Sequence, residues 1–230
     1  EGVYAGQIVS SAAVADVDGA RTVYFGGGKT LYALDAATGE ERWHHELNAD
    51  GPDDDPTEIE TSPVLATGSD GRLLAVVGYD VHNAPSARAG VVALDASTGE
   101  EVWTFDPDGG AEPSGCADVW SSPSADEDLG LVYFGTGNCN TSPEGWTRFS
   151  DALVAVDLDD GSLAWRYQPH EPNNDDLDFA GSPNLFSAGG SDLVGLGNKD
   201  GRYYAVDRAT GEPVRWCAPC WRLRRAARWR

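Results

Sequence analysis

The 230 residues carry 38 acidic side chains against 16 Lys and Arg, a formal net charge of -22. That balance argues against nucleic acid and anionic lipid surfaces, both of which call for basic patches. No apolar run approaches the roughly 20 residues of a membrane-crossing helix, and 28 glycines with no methionine suit strands and turns. The missing methionine leads us to expect a start inside a longer product or after processing, and Glu1-Gly2-Val3-Tyr4 has no charged-then-apolar leader pattern. Lysine is confined to Lys29 and Lys199, and an acidic shell of this kind fits either plain solubility or a saline habitat.

The first unit, about 7–47, predicts an inner strand over Ile8–Ala15, an Asp18-Gly19 hairpin and a second strand over Thr22–Gly26. It ends in Leu31–Trp43, LYALDAATGEERW, which reads as an alternating apolar strand, an Asp-x-x-Thr-Gly turn and a short strand closed by tryptophan. The same string returns as Val91–Trp103, Leu153–Trp165 and Tyr203–Trp216. A second element precedes each copy: Ser10-Ser11, Thr61-Ser62-Pro63, Ser121-Ser122-Pro123 and Gly181-Ser182-Pro183. Four copies of one pattern define a repeat protein, here of four short strands per unit. An indole buries roughly 150–250 Å², so Trp43, Trp103, Trp165 and Trp216 are expected to cement one unit to the next.

Between the first two units, Asn48–Glu60 is strongly acidic but lacks the ligand order of an EF-hand, and reads as an exposed connection. The second unit, about 59–107, has its hairpin at Asp70-Gly71 and an insertion over Tyr79–Gly90. The third, about 118–168, contains VWSSPSADEDLGLVYFGTGNCN, and a polar loop, Pro169–Asp178, leads into the fourth, about 179–216. Cys116 and Cys139 flank one hairpin; a disulfide between them would suit an exported protein, extracellular or periplasmic, and two buried thiols are the other reading. The tail, 217–230, holds five arginines and no acid: either a basic amphipathic segment or an end foreign to the repeat. Its Cys217-Ala-Pro-Cys220 has the thioredoxin spacing without the βα framework such chemistry needs.

The pattern Ala-x-Asp-x-x-Thr-Gly-x-x-x-Trp resembles the tryptophan-docking motif of the pyrroloquinoline quinone (PQQ) dehydrogenase β-propellers. The match is clean in the first two copies; Asp160 replaces threonine in the third, and one residue is inserted before Trp216 in the fourth. The resemblance implies an all-β propeller, with 1–216 forming four W-motif blades, the open half of an eight-bladed ring. Exposed apolar surface is then expected at both ends.

In the alcohol-oxidising members a tryptophan stacks on the quinone and an asparagine in a Gly-x-Gly-Asn turn binds the neighbouring Ca²⁺; Trp120 and Asn138 occupy those places here. The general base is an aspartate in the loop before the next blade, for which Asp175 and Asp178 are the candidates, Asp175 also as a metal ligand. The family's glutamate ligand for calcium precedes an Arg-Gly; in Gly78–Gly90 here Arg88 is present, a cofactor-binding candidate by that resemblance, but no glutamate is, which leaves Asp80 or Asn83 to substitute. Trp120–Asn138 and Asp176–Pro183 are most similar to polyvinyl-alcohol dehydrogenase-like proteins, which are secreted. The implied function is part of a PQQ- and Ca²⁺-dependent alcohol dehydrogenase, with an alcohol as substrate, an unidentified electron acceptor and the remaining blades as partners. The alternative is a propeller without cofactor that serves as an interaction scaffold, similar to outer-membrane assembly lipoproteins.

Overall fold

The computed structural model describes residues 7–49, 56–84, 87–139, 147–171, 173 and 175–214; Trp216, Cys217, Cys220 and the basic tail lie outside them. Among the described residues, fifteen strands form four antiparallel sheets in strict chain order. The first holds β1 (Ala13–Val17), β2 (Ala20–Gly27), β3 (Thr30–Asp35) and β4 (Glu41–Glu46). The second holds β5 (Val64–Thr67), β6 (Leu73–Tyr79), β7 (Gly90–Asp95) and β8 (Glu101–Phe105). The third holds β9 (Ser124–Asp126), β10 (Leu131–Gly135), β11 (Leu153–Asp157) and β12 (Leu163–Tyr167). In the fourth, β13 (Asn184–Ala188), β14 (Ser191–Gly197) and β15 (Tyr203–Asp207) are followed by a bridge from Val206 to Pro213. The first strands of successive sheets lie side by side. The sheets therefore fan like propeller blades, face against face.

Each motif folds by the same local rule. The Asp35 carboxylate accepts the N–H groups of Ala37 and Thr38, both at 2.9 Å, and so closes the turn. Asp95, Asp157 and Asp207 repeat this. The odd Asp160 is no defect, because its carboxylate accepts the Ser162 N–H at 2.8 Å where Thr38 Oγ1 accepts that of Glu40 at 3.2 Å. The glycine that ends the turn has a φ of 75° to 77° in the first two copies, a region that L side chains avoid.

That glycine is also the seat of the preceding blade's tryptophan. A Cβ on Gly99 would lie 2.7 Å from the Trp43 indole, one on Gly161 2.6 Å from Trp103, and one on Gly211 2.6 Å from Trp165. Each indole N–H then donates to the carbonyl three residues before its glycine: Trp43 to Ala96 at 3.1 Å, Trp103 to Leu158 at 2.8 Å, Trp165 to Arg208 at 3.2 Å. Across its own sheet each tryptophan faces a small residue, Ala33, Ala93 or Ala155, with a register shift directly after it.

A second contact recurs nearer the first strands. A Cβ on Gly26 would sit 2.8 Å from Ile59 Cβ, one on Gly78 2.9 Å from Val119 Cβ, and one on Gly135 2.8 Å from Phe179 Cβ. Glycine there lets the lead-in of the next blade press onto backbone. The serine motifs complete the junction: Ser11 N–H donates to Ser62 Oγ at 2.9 Å, and Ser62 N–H to Ser122 Oγ at 2.8 Å. This is why the first strand begins at Ala13 rather than Ile8. The Ser11 N–H goes to the next blade, and Ser10 Oγ accepts the Gly26 N–H at 3.2 Å in place of a ladder bond.

Three apolar clusters fill the three junctions, each drawn from two adjacent sheets. Trp103 is 6% exposed, so Trp103→Ala removes an indole from a filled cavity and should cost about 3–5 kcal/mol in urea denaturation. Trp103→Phe should recover part of the loss, since it keeps the apolar bulk and forfeits only the bond to Leu158. Equal losses for the two variants would argue against indole docking.

Candidate active site

Two segments of the third blade are fastened together to present Trp120. The lead-in from Gly115 to Ser122 runs beside the exit of β10, where Gly137 N–H donates to the Asp118 carbonyl at 2.8 Å and Ala117 N–H to that of Asn138 at 3.2 Å. Cys116 and Cys139 are joined by a disulfide, Cα to Cα 4.7 Å, which clamps the same pair of segments. Thr136 anchors the bracket from below: its hydroxyl accepts the Ala152 N–H at 2.9 Å and donates to the Phe149 carbonyl. Trp120 is half-buried at the edge of this bracket and Asn138 is buried within it.

The fourth blade brings the charges. Asp178, 4% exposed, precedes Phe179 in the lead-in, and its carboxylate accepts the Asn138 N–H at 2.8 Å. Lys199 Nζ lies 2.7 Å from both Asp178 Oδ2 and Asp176 Oδ1, and 5.4 Å from the centre of the Trp120 ring. A Cβ on Gly137 would touch the Trp120 indole nitrogen at 3.5 Å and the Asp178 carboxyl carbon at 3.6 Å, so the two functional groups flank one glycine. Burial raises the Asp178 carboxyl above the usual aspartate range, against the pull of Lys199. Burial alone would lower Lys199, but Asp176 and Asp178 outweigh it and hold the ammonium protonated.

A second acidic group lies where the lead-ins of the second and third blades meet. Glu58 and Asp80 exchange backbone hydrogen bonds at 2.9 and 3.0 Å, and the His82 ring lies between their carboxylates, 3.4 Å from Glu58 and 3.2 Å from Asp80. The Asp118 carboxylate accepts the N–H groups of Val81 at 3.2 Å and Asn83 at 3.0 Å. Burial, reinforced by the charge of Asp80, pushes Asp118 up to about 7. Burial likewise raises Asp80, Glu58 and Glu60.

Of the residues singled out by sequence, Trp120, Asn138 and Asp178 come together. Arg88 does not join them: its guanidinium contacts Asp106 at 2.5 Å, Asp108 at 3.7 Å and the Ala111 carbonyl at 2.5 Å. Asp175 is exposed, its N–H donating to Asn173 at 2.8 Å. Asp80 and Asn83 are engaged with His82 and Asp118. His170 rests edge-on against Tyr204 and 3.6 Å from Asp200. Lys199 was missed, although it stands in Gly197-Asn198-Lys199-Asp200-Gly201 and is one of only two lysines in an acidic chain.

A planar indole, an ammonium and a buried carboxylate on fanned, tryptophan-docked sheets define a quinoprotein-type propeller wall. Residues 74–217 match the family described as the beta-propeller domain of glucose/ethanol/alcohol dehydrogenases, and the chain belongs to this PQQ family. It is 27% identical over 223 residues to the quinohemoprotein alcohol dehydrogenase ADH-IIG of Pseudomonas putida, covering 79% of this chain and 29% of the relative. The polyvinylalcohol dehydrogenase of Sphingopyxis sp. is 26% identical over 242 residues, with 82% of this chain and 34% of the relative covered. The solved ADH-IIG structure superposes with a TM-score of 0.70 at 26% identity, over 84% of this chain and 32% of that one. BamB from Moraxella catarrhalis shares the fold at a TM-score of 0.59 and 18% identity, over 90% and 52% of the two chains. The chain spans about a third of the length of the curated relatives it matches.

The residues present fit a planar quinone such as PQQ in one respect, the flat aromatic face of Trp120 with the Lys199 ammonium beside it. The fit to calcium is incomplete. Asp178 Oδ1 accepts the Asn138 N–H and Oδ2 faces Lys199 Nζ, far short of the 6–8 oxygens of a calcium shell, and no cluster of three or more His, Cys, Asp or Glu able to hold a metal occurs among the described residues.

Asp118 makes stability depend on pH with a definite sign. Its pKa is raised in the folded state, so the folded protein binds more protons than the unfolded chain between about pH 4 and pH 7. Stability should be greatest below the unfolded pKa and fall as pH rises to about 7, by up to about 1.4 kcal/mol per pH unit from this group. Urea unfolding from pH 4 to 8 measures the slope. Asp118→Asn should flatten it.

Proposed function

We propose that this chain forms one wall of a PQQ-dependent alcohol dehydrogenase, with Trp120, Asp178, Lys199 and Asn138 as its contribution to the site. The reading rests on one observation above all: the buried Asp178 carboxylate is held by the Asn138 N–H at 2.8 Å and the Lys199 ammonium at 2.7 Å, beside the Trp120 indole. Family membership supplies the cofactor class. The disulfide supports an oxidising, exported location, extracellular or periplasmic.

A bound quinone supplies the two-electron acceptor. Trp120 provides a stacking face that fixes its plane, and Lys199 a positive charge for its oxygens. Asp178 takes the proton of the alcohol hydroxyl; burial raises its basicity, which suits a general base. Lys199 keeps that carboxylate oriented through its second bond to Asp176. Blades beyond those described here complete the site, and the electron acceptor lies with them. Arg88 and Asp175 are not assigned a role, because their polar contacts are elsewhere.

Calcium enters this reading as a joint ligand. With at most Asn138 and Asp178 as ligands from the chain, it should bind once the quinone adds its own oxygens and not before. Calorimetric titration with Ca²⁺ should give no saturable heat without PQQ and a saturable one with it. Saturable binding without the quinone would overturn that order.

The cofactor reading is tested by adding PQQ to the chain and following tryptophan fluorescence. Saturable quenching is expected, lost in Trp120→Ala and retained in Asp178→Asn. In the polypeptide carrying the complete propeller, Asp178→Asn should lower dye-coupled alcohol oxidation by about 10²–10⁴-fold. Absence of quenching, together with no oxidation by that polypeptide, would remove the enzyme and leave the interaction scaffold.

A further inference from the structure

A lysine ammonium has three protons to place and accepts none. For Lys199, Asp178 Oδ2 and Asp176 Oδ1 each lie 2.7 Å from Nζ and take two of them. The remaining partner of the ammonium among the described residues is the Trp120 ring, over which it stands 5.4 Å from the centre. The backbone fixes this arrangement. Lys199 N–H donates to the Asp178 carbonyl at 3.0 Å, and Asn198 Nδ2 donates to the Leu177 carbonyl at 2.5 Å. Asn198 is 7% exposed and its Oδ1 accepts the Asp200 N–H at 2.9 Å, so one carboxamide ties the tip of the β14–β15 hairpin to the lead-in that carries Asp178.

Because the same ammonium bonds Asp178, the indole face beneath it is the face turned to that carboxylate. A quinone whose substrate is to reach Asp178 stacks there. Stacked carbon planes lie about 3.5–4.0 Å apart, which would leave roughly 2 Å or less between the ring and the ammonium. No non-bonded contact is that short. The ammonium has to give way before a ring can stack.

We infer that Lys199 selects planar ligands by charge: its ammonium covers the Trp120 face before a quinone binds, and yields that face to a ring whose edge carries an anionic oxygen. The inference rests on the proposed quinone site and adds a selection step to it. The bonds to Asp176 and Asp178 are kept, because the exchange concerns only the third proton, which passes from the indole to the ligand oxygen. A charge-assisted hydrogen bond of that kind is roughly twice as strong as a neutral one. A neutral ring of the same shape displaces the ammonium and returns nothing for it.

Two measurements on the chain test this. Lys29 and Lys199 are its only lysines, so carbon-13 labelling of lysine gives two ε-methylene signals in NMR spectra. The Lys199 signal should be shifted upfield by the indole ring current, Trp120→Ala should abolish the shift, and saturating PQQ should move this signal while that of Lys29 stays. Tryptophan quenching then compares PQQ with its trimethyl ester, which keeps the tricyclic quinone and removes the carboxylate charges. The wild type should bind PQQ about tenfold or more tighter than the ester. In Lys199→Met, PQQ should weaken about tenfold or more, whereas the ester should tighten about two- to fivefold once the covering cation is gone. The ester carries no charge for Asp176 and Asp178 to repel, so its tightening isolates the covering role. A Lys199 signal without the upfield shift, or an ester that binds Lys199→Met no tighter than the wild type, would overturn the inference. If PQQ still quenches the wild type in that event, the cofactor site stands without the selection step; if neither ligand quenches it, site and selection fail together.

Discussion

The whole arrangement depends on an indole laid flat against a glycine of the next sheet. That contact makes two demands on each repeat, met four residues apart within the same thirteen residues in the first three copies. One is a tryptophan opposite a small residue; the other is a tight turn whose last residue has no Cβ. The N–H of the indole adds direction to what would otherwise be a slippery apolar contact, since Trp43, Trp103 and Trp165 each find a carbonyl three residues ahead of their glycine. A burial of this size, repeated at each junction, lets short strands with exposed edges hold together without helices.

The candidate site follows from the second glycine contact. Because Gly135 accepts Phe179 against its backbone, the lead-in of the fourth blade crosses the exit of β10, and Asp178 arrives at the Asn138 N–H. The same crossing one junction earlier, Val119 over Gly78, fixes the segment that carries Trp120 two residues after Asp118. The disulfide then clamps the lead-in to the β10 exit. The candidate site residues are thus held by lead-ins whose positions the inter-blade packing has already settled, so a loop's freedom is removed without giving it regular structure.

The repeats were legible because their signals are local: alternation, Asp-capped turns and a tryptophan in register all lie within one string. Trp120, Asn138 and Asp178 were legible only through family resemblance, since 18 to 58 residues separate them along the chain. Arg88 was misleading for a physical reason: its guanidinium is claimed by Asp106 and Asp108, whose approach depends on how the following loop folds. Lys199 went unrecognised because it stands in what reads as a turn. Its rarity in an acidic chain was the available signal. The start of β1 at Ala13 was illegible as well, because strand alternation continues through Ser10 and Ser11, whose Oγ and N–H pair outside a ladder.

Charge sets what the rest of the molecule must provide. Lys199 is shared by Asp176 and Asp178, so this wall of the site is short of positive charge even before an anionic quinone arrives. One ammonium cannot neutralise two carboxylates and also hold the carboxylates of PQQ. The remaining cations must come from groups on other walls, or from a metal bound together with the quinone. On the proposed reading, Trp120 would supply the stacking face and Asp178 the base, and the further positive charge would come from outside these four blades.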